Sequence, residues 1–157
     1  MESTANFKVY RFRWTILSIF MFLIAVNQML WITFAPITGD ATRYYGVSDI
    51  WIGILSMCFM IVYVVVSIPA SWIIDKYGIR TGVGIGAGFT GIFGFLRGLV
   101  TTDFEWLLIA QIGIAIGQPF ILNAITKFAA RWFPIAERAT AAGLGTLAMY
   151  AGILTGM

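Results

Sequence analysis

The sequence has no histidine, one cysteine and few charged residues, which make up 11% of its 157 positions. Without histidine it lacks the usual general base, a frequent zinc ligand and the commonest axial haem ligand. The single cysteine, Cys58, cannot form an internal disulfide. Paired acids and metal-ligand spacings are also missing from the long apolar runs. We therefore expect no enzymatic activity, no metal site and no cofactor.

Apolar residues dominate the chain, at 60% hydrophobic content and a mean hydropathy of +0.90. Soluble domains contain roughly 45–50% apolar residues and about 25% charged ones. A soluble fold of this composition would expose large apolar patches, whereas lipid solvates such patches. The net charge of +3 is too small to indicate a nucleic-acid partner. The composition predicts a protein whose partner is the lipid bilayer.

Five apolar runs are long enough to cross a bilayer, which takes about 20 helical residues. They lie at 14–37, 51–74, 81–100, 105–130 and 136–157. The first run is longer than the roughly 7–15 residues of a signal-peptide core, so we expect a retained span. Short polar linkers predict antiparallel neighbours. The predicted fold is an all-α membrane protein, with residues 1–13 preceding a helical bundle at 14–157.

Basic residues predict how the bundle is oriented. Of the ten basic residues, Arg43 and Arg97 fall at or near one face. The other eight fall at the opposite face: Lys8, Arg11, Arg13, Lys76, Arg80, Lys127, Arg131 and Arg138. By the positive-inside rule, the N-terminus is cytoplasmic, and we expect a plasma-membrane location. Arg97 lies near the outer end of its span, where we expect it to reach the interface beside Asp103.

Five is an unusual number of spans for a bundle of paired helices. The fifth run ends at Met157, without a sixth helix or a polar tail. We therefore expect a longer protein, in which this chain is five helices of an N-terminal six-helix half and a C-terminal six-helix half is its missing partner. Glycines four residues apart predict close helix packing. They are Gly84 and Gly88, Gly94 and Gly98, and Gly113 and Gly117.

Polar residues inside the spans indicate either a solute pathway or hydrogen bonds that hold helices together. Asn27 and Trp31 share one helical face near mid-span, and Gln118 lies near the middle of the fourth span beside Pro119. We predict that Asn27, Trp31 and Gln118 bind solute, and we give Gln28 and Gln111 less weight. No acidic residue lies in mid-span, so ion coupling resides in the missing half or transport is uncoupled.

The loop after the second span carries a charged pattern, ASWIIDKYGIR at 70–80. Gly78 permits a tight turn, and the charges fit either a conformational latch or an ordinary polar turn. Asp75, Lys76, Gly78 and Arg80 resemble the loop signature of the major facilitator superfamily, in which Ser71 is usually glycine. The resemblance implies that Asp75 engages a helix of the second half and stabilises the outward-facing state. Glu137 and Arg138 match charges that join this latch.

Six collinear segments resemble the feline leukaemia virus subgroup C receptor-related transporters: YRFRW (10–14), WITFAPI (31–37), YYGVS (44–48), PASWIIDKYGIR (69–80), GQPFILN (117–123) and ERATA (137–141). This group is associated with choline, ethanolamine and haem transport, and the resemblance implies that Trp31 and Gln118 line its central cavity. Gln111 departs from the superfamily, whose members often have arginine there.

The resemblance implies a carrier that works by alternating access, with solute bound near mid-membrane between two halves. The resemblance implies a small choline-like or ethanolamine-like solute. For choline there is also a physical reason, because an aromatic face such as that of Trp31 attracts a quaternary ammonium. Two alternatives remain: a carrier of haem or another metabolite, and a membrane interaction protein that transports nothing.

Overall fold

The computed structural model describes residues 10–99 and 102–157, and within these ranges the regular structure is entirely helical. Seven helices follow one another along the chain: α1 (Arg13–Ile32), α2 (Thr38–Tyr45), α3 (Asp49–Tyr77), α4 (Ile79–Leu99), α5 (Phe104–Leu122), α6 (Ala124–Trp132) and α7 (Ile135–Gly156). Lys8 and Val100, to which the sequence assigns a cytoplasmic charge and a span end, lie outside the described residues.

Five helical segments are long and apolar enough to cross a membrane, when α5 and α6 are taken as one segment. Their outward surfaces are apolar: Phe22 is 71% exposed and Ile68 is 79% exposed. Such surfaces are stable against lipid tails, while the backbone groups inside each helix are satisfied within that helix. The predicted all-α membrane fold with five spans is confirmed. The sixth helix and the second half remain predictions.

Three segments differ from the predicted spans and linkers. The predicted fourth span, 105–130, consists of two helices, α5 and α6, which meet at Asn123. The first span ends at Ile32 rather than at residue 37, because Pro36 cannot donate a backbone hydrogen bond and restricts Ala35 to extended conformations. The predicted polar linker contains α2, an eight-residue helix. It ends at Gly46, whose φ of 65° lies in the left-handed region that glycine adopts without strain.

Glycine determines where helices touch. A Cβ on Gly117 would lie 2.7 Å from the carbonyl oxygen of Gly86, so α4 and α5 pack backbone to backbone there. The predicted packing role of Gly113 is also correct, since its Cβ would overlap the ring of Phe93. The predicted pair Gly84 and Gly88 was wrong, because both face open space. The period of four predicted a packing face but not which glycines occupy it.

Candidate functional site

A groove of about 470 Å³ opens between four of the membrane helices. We call it the central groove. Its lining comes from α1 (Gln28, Trp31), α3 (Phe59, Met60, Tyr63, Val64), α5 (Gln118, Leu122) and α7 (Met149, Ile153). No charged side chain belongs to this lining, and three of its ten residues are aromatic. An uncharged, aromatic wall with a few polar atoms suits a small organic solute.

Trp31 lies in the central groove with its ring fixed from one side. Its indole nitrogen Nε1 donates a hydrogen bond of 3.1 Å to the backbone carbonyl of Ser56 on α3. The ring is tilted against Phe59, with 6.5 Å between ring centroids. Because the N–H already has a partner, the remaining interaction that Trp31 offers a solute is its aromatic face. That face attracts cations.

Gln118 brings a polar group into the same groove. It is 6% exposed, and its amide makes no hydrogen bond to any other described residue. Buried amides normally find a partner, so an open one facing a cavity is available to a ligand. Gln28 adds a second amide, whose nitrogen reaches the Asn27 side-chain oxygen at 3.5 Å, a weak contact. Sequence reasoning gave Gln28 less weight than Asn27, although both lie on the inward side of α1.

Asn27 occupies a different position from the other two predicted solute-binding residues. Its side chain is fully buried, and its amide nitrogen donates to the Thr90 hydroxyl on α4 at 3.0 Å. It does not belong to the lining of the central groove. In this structure Asn27 therefore joins α1 to α4, while Trp31 and Gln118 face the groove. The helical period placed all three near mid-membrane but could not resolve neighbouring faces.

A polar cluster that the sequence analysis did not identify borders the groove toward the end of the bundle that holds Asp75 and Gly78. Asn123, between α5 and α6, accepts a hydrogen bond of 2.8 Å from the Tyr63 hydroxyl. Its nitrogen donates to the hydroxyls of Ser67 and Ser71, at 2.9 and 3.0 Å. The sequence contains a pattern that could have indicated this cluster, because polar residues recur every four positions along one face of α3: Tyr63, Ser67, Ser71 and Asp75.

The predicted latch residues lie at one end of the bundle but form separate contacts. Asp75 forms an ion pair with Lys127 of α6, and both side chains are substantially exposed, at 62% and 44%. Gly78 has a φ of 89°, which allows the sharp turn from α3 into α4. The Lys76 ammonium lies over the Trp72 ring, 4.6 Å from its centroid. Arg80 is exposed and lines a separate, mostly apolar groove.

Glu137 and Arg138 belong to a second set of contacts. A Glu137 oxygen accepts from Arg13 at 3.0 Å, which ties α7 to α1. Arg138 donates through Nε to the Phe133 carbonyl at 3.1 Å. Among the described residues, no hydrogen bond or ion pair joins Glu137 to Asp75. The partner of Asp75 within this chain, Lys127, was counted only as one of the basic residues of that face.

Arg97 corrects a further prediction, because its side chain turns inward rather than toward the interface and Asp103. Its Nη1 donates to the Leu30 carbonyl at 2.7 Å and to the Gln111 side-chain oxygen at 2.8 Å. Its guanidinium carbon also lies 5.3 Å from the centroid of the Phe34 ring. Buried acceptors on α1 and α5 thus replace the water that a snorkelling arginine would reach.

Comparison with known proteins identifies the class to which this bundle belongs. Residues 18–157 match the family model of the Major Facilitator Superfamily. Since this match covers most of the chain, the protein belongs to that superfamily of membrane transporters. The five apolar helices make it a multi-pass integral membrane protein.

Individual relatives narrow the resemblance. The chain is 37% identical to solute carrier family 49 member A3 of Danio rerio, over 98% of this chain and 34% of the relative. It is 30% identical to the human choline/ethanolamine transporter FLVCR2, over 99% of this chain and 30% of the relative. The mouse choline/ethanolamine transporter FLVCR1 is 31% identical over 92% of the chain and 26% of its own length. The chain therefore spans about a third or less of these relatives, and its resemblance to this transporter group is confirmed.

Proposed function

We propose that this chain forms part of a carrier that moves a small choline-like organic cation across the plasma membrane by alternating access. The supporting observation is the pairing of the fixed Trp31 ring with the unengaged Gln118 amide in one uncharged groove. A quaternary ammonium has no N–H to donate, so it leaves no donor unpaired against an aromatic wall, whose face attracts its charge. The Gln118 amide is placed to bind the hydroxyl of the same solute.

Physical chemistry ranks the candidate solutes. Ethanolamine carries an ammonium with three donors, and each needs an acceptor once the solute leaves water. The groove offers side-chain amide oxygens from Gln28 and Gln118 but no carboxylate. Choline makes no such demand, so we expect it to bind more tightly than ethanolamine. Haem would bring two carboxylates and an iron to a groove without cationic side chains or histidine.

Alternating access requires a wall opposite the groove. The central groove is lined by one face of α1, α3, α5 and α7. We propose that a second six-helix bundle, of the kind that the greater length of the relatives allows, closes this side. Solute would then bind between two bundles that rock about it. Whether that bundle lies in the same polypeptide is decided by the length of the product of the complete gene.

For the latch, we propose that Asp75, Lys76, Gly78 and Arg80 form a cytoplasmic contact that changes between conformations, with Glu137 and Arg138 beside it. The Asp75–Lys127 ion pair is exposed, and such pairs contribute only about 0.2–1 kcal/mol. Asp75 can therefore exchange Lys127 for a partner on a second bundle at little cost. Glu137 is less free, because Arg13 holds it against α1.

The orientation proposal follows from charge. We place the basic end of the bundle and residues 1–13 in the cytoplasm. A tag inserted after Gly78 should be reached by antibody only in permeabilised cells. A tag beside Gly39 should be reached in intact cells. The reverse pattern would overturn the orientation.

The transport proposal is tested with the product of the complete gene, reconstituted in liposomes and given labelled choline, ethanolamine or haem. We expect saturable choline uptake, with a KM raised about 5- to 30-fold in Trp31→Ala, because an aromatic face contributes about 1–2 kcal/mol to a desolvated cation. Gln118→Ala should raise the KM by a smaller factor. Trp106→Ala is the matched control, since Trp106 is 59% exposed and lies outside the groove. Choline uptake unchanged by both groove substitutions, or uptake of haem alone, would contradict the proposal.

A further inference from the structure

Arg97 and Gln111 form hydrogen bonds to two backbone segments next to Trp31, one on α1 and one on α3. Arg97 donates to the carbonyl of Leu30, the residue directly before Trp31. Gln111 accepts from Arg97 at 2.8 Å and donates to the Leu55 carbonyl at 3.3 Å. Leu55 directly precedes Ser56, whose carbonyl accepts the Trp31 indole N–H. One chain of hydrogen bonds therefore joins the backbone that carries Trp31 to the backbone that orients its ring.

The end of α1 explains why an arginine is placed there. Leu30 lies in the last turn of α1, which ends at Ile32, and carbonyls in a last turn lack intrahelical partners. A cation beside them also opposes the negative end of the helix dipole. Arg97 thus caps α1 from a neighbouring helix, one residue before Trp31. The positive charge of Arg97 is therefore stabilised by the carbonyl end of α1. Arg97 does not line the central groove.

Gln111 is the side chain that links the two parts of this hydrogen-bond chain. It is fully buried, and it connects α5 to both α4 and α3 through one amide. Because both ends of the amide are used, the side chain has one orientation that satisfies every bond. Loss of Gln111 would release Arg97 from α5 and leave α3 free to shift against α1. The hydrogen bond between the Trp31 indole N–H and the Ser56 carbonyl would then lose its support from α5.

We propose that Arg97 and Gln111 are positioning residues that hold Trp31 in the orientation that binds an organic cation. This inference rests on the proposed function of Trp31. In this proposal neither residue touches the solute. Both hold the backbone of α1 at Leu30 at a fixed distance from the backbone of α3 at Leu55. The structure of the network also predicts its direction of effect. Weakening the network should reduce affinity for the cation more than it reduces the turnover of bound solute.

The experiment is a double-mutant cycle on the product of the complete gene in liposomes, with labelled choline as the probe. Gln111→Met keeps the side-chain volume and removes both hydrogen bonds. We expect it to raise the choline KM about 3- to 10-fold, as one or two lost hydrogen bonds would, with a maximal rate within about twofold of wild type. In a Trp31→Phe background, which lacks the indole N–H, the same substitution should change KM less than about 1.5-fold.

Two further variants keep the result interpretable. Gln111→Glu retains the acceptor for Arg97 and loses the donor to Leu55, so its KM should fall between those of wild type and Gln111→Met. Thr33→Val removes a different hydrogen bond in the same turn, from the Thr33 hydroxyl to the Met29 carbonyl at 2.6 Å, and should leave KM unchanged. A Gln111→Met effect equal in both backgrounds, or no effect at all while Trp31→Ala raises KM, would overturn the inference. An unchanged KM in Trp31→Ala would instead refute the proposed function.

Discussion

Replacing Asn123 with leucine removes the side chain that holds α3 to the junction of α5 and α6. Leucine keeps a similar volume, and the backbone at this position is helical, with φ −67° and ψ −16°, so the substitution adds no strain. The lost interactions are specific. One hydrogen bond comes from Tyr63, and others run to Ser67 and Ser71. Each joins helices that are distant in sequence and adjacent in the membrane.

The expected loss of stability is about 2 kcal/mol. Measured interhelical hydrogen bonds in membrane proteins average roughly 0.6 kcal/mol, with a maximum of about 1.7. Asn123 has three side-chain partners. The serine hydroxyls can turn to carbonyls of their own helix, so they add little penalty of their own. Tyr63 is only partly buried and lines the groove, so we expect its hydroxyl to bond to water once Asn123 is replaced.

The assay is SDS-driven unfolding of the purified protein in mixed micelles. Asn123→Leu should lower the free energy of unfolding by about 2 kcal/mol, and Ser71→Ala, which loses one partner, by about 0.6. Ile68→Ala is the matched control on α3, because Ile68 is 79% exposed and its side chain forms no hydrogen bond. A loss below about 0.5 kcal/mol in Asn123→Leu would refute the assignment of this cluster as a bond between α3 and the junction.

Four further substitutions, compared in two pairs, test the packing and the charges. Gly152→Ala should destabilise the protein and broaden its size-exclusion peak, because the new Cβ would fall 2.2 Å from the Ala25 carbonyl oxygen of α1. Gly88→Ala is the control: a Cβ there has nothing within 4 Å, so the change should be neutral or stabilising by roughly 0.5–1 kcal/mol. Equal effects of the two substitutions would contradict the packing of α7 on α1. Glu137→Gln should cost about 1–3 kcal/mol in the same SDS assay, since it leaves the partly buried Arg13 without its charged partner. Asp75→Asn should cost at most about 1 kcal/mol because its pair is exposed, and a larger loss there than in Glu137→Gln would contradict this ranking.

Hydropathy alone predicted the five spans, because the requirement to satisfy backbone groups in lipid leaves a long apolar run few alternatives to a helix. The departures occur where local chemistry overrides hydropathy. Pro36 ends α1 before its apolar run is finished, and α2 forms from a polar stretch that reads as a linker. Gly46 then ends α2 in a left-handed turn.

The sequence was less informative about which way the candidate site residues face. It gives the depth of a residue along its helix, but the direction of the side chain depends on which helix packs beside it. Trp31 and Gln118 face the groove, whereas Asn27, on the same stretch of α1, faces Thr90. Arg97 was placed at the interface, because the sequence does not show that the end of α1 offers it an unpaired carbonyl. Tertiary contacts between residues far apart in the chain decided each of these cases.

Accessibility of the groove to a charged probe tests the central claim most directly. A cysteine replaces Met60, which lines the groove, in a Cys58→Ser background, and is exposed to a thiol reagent that carries a quaternary ammonium. We predict rapid labelling that choline slows, while a cysteine at Phe95, an exposed position of α4, which contributes no residue to the groove, stays unlabelled. Equal labelling at both positions, or labelling of Met60→Cys that choline does not affect, would contradict a groove that holds an organic cation.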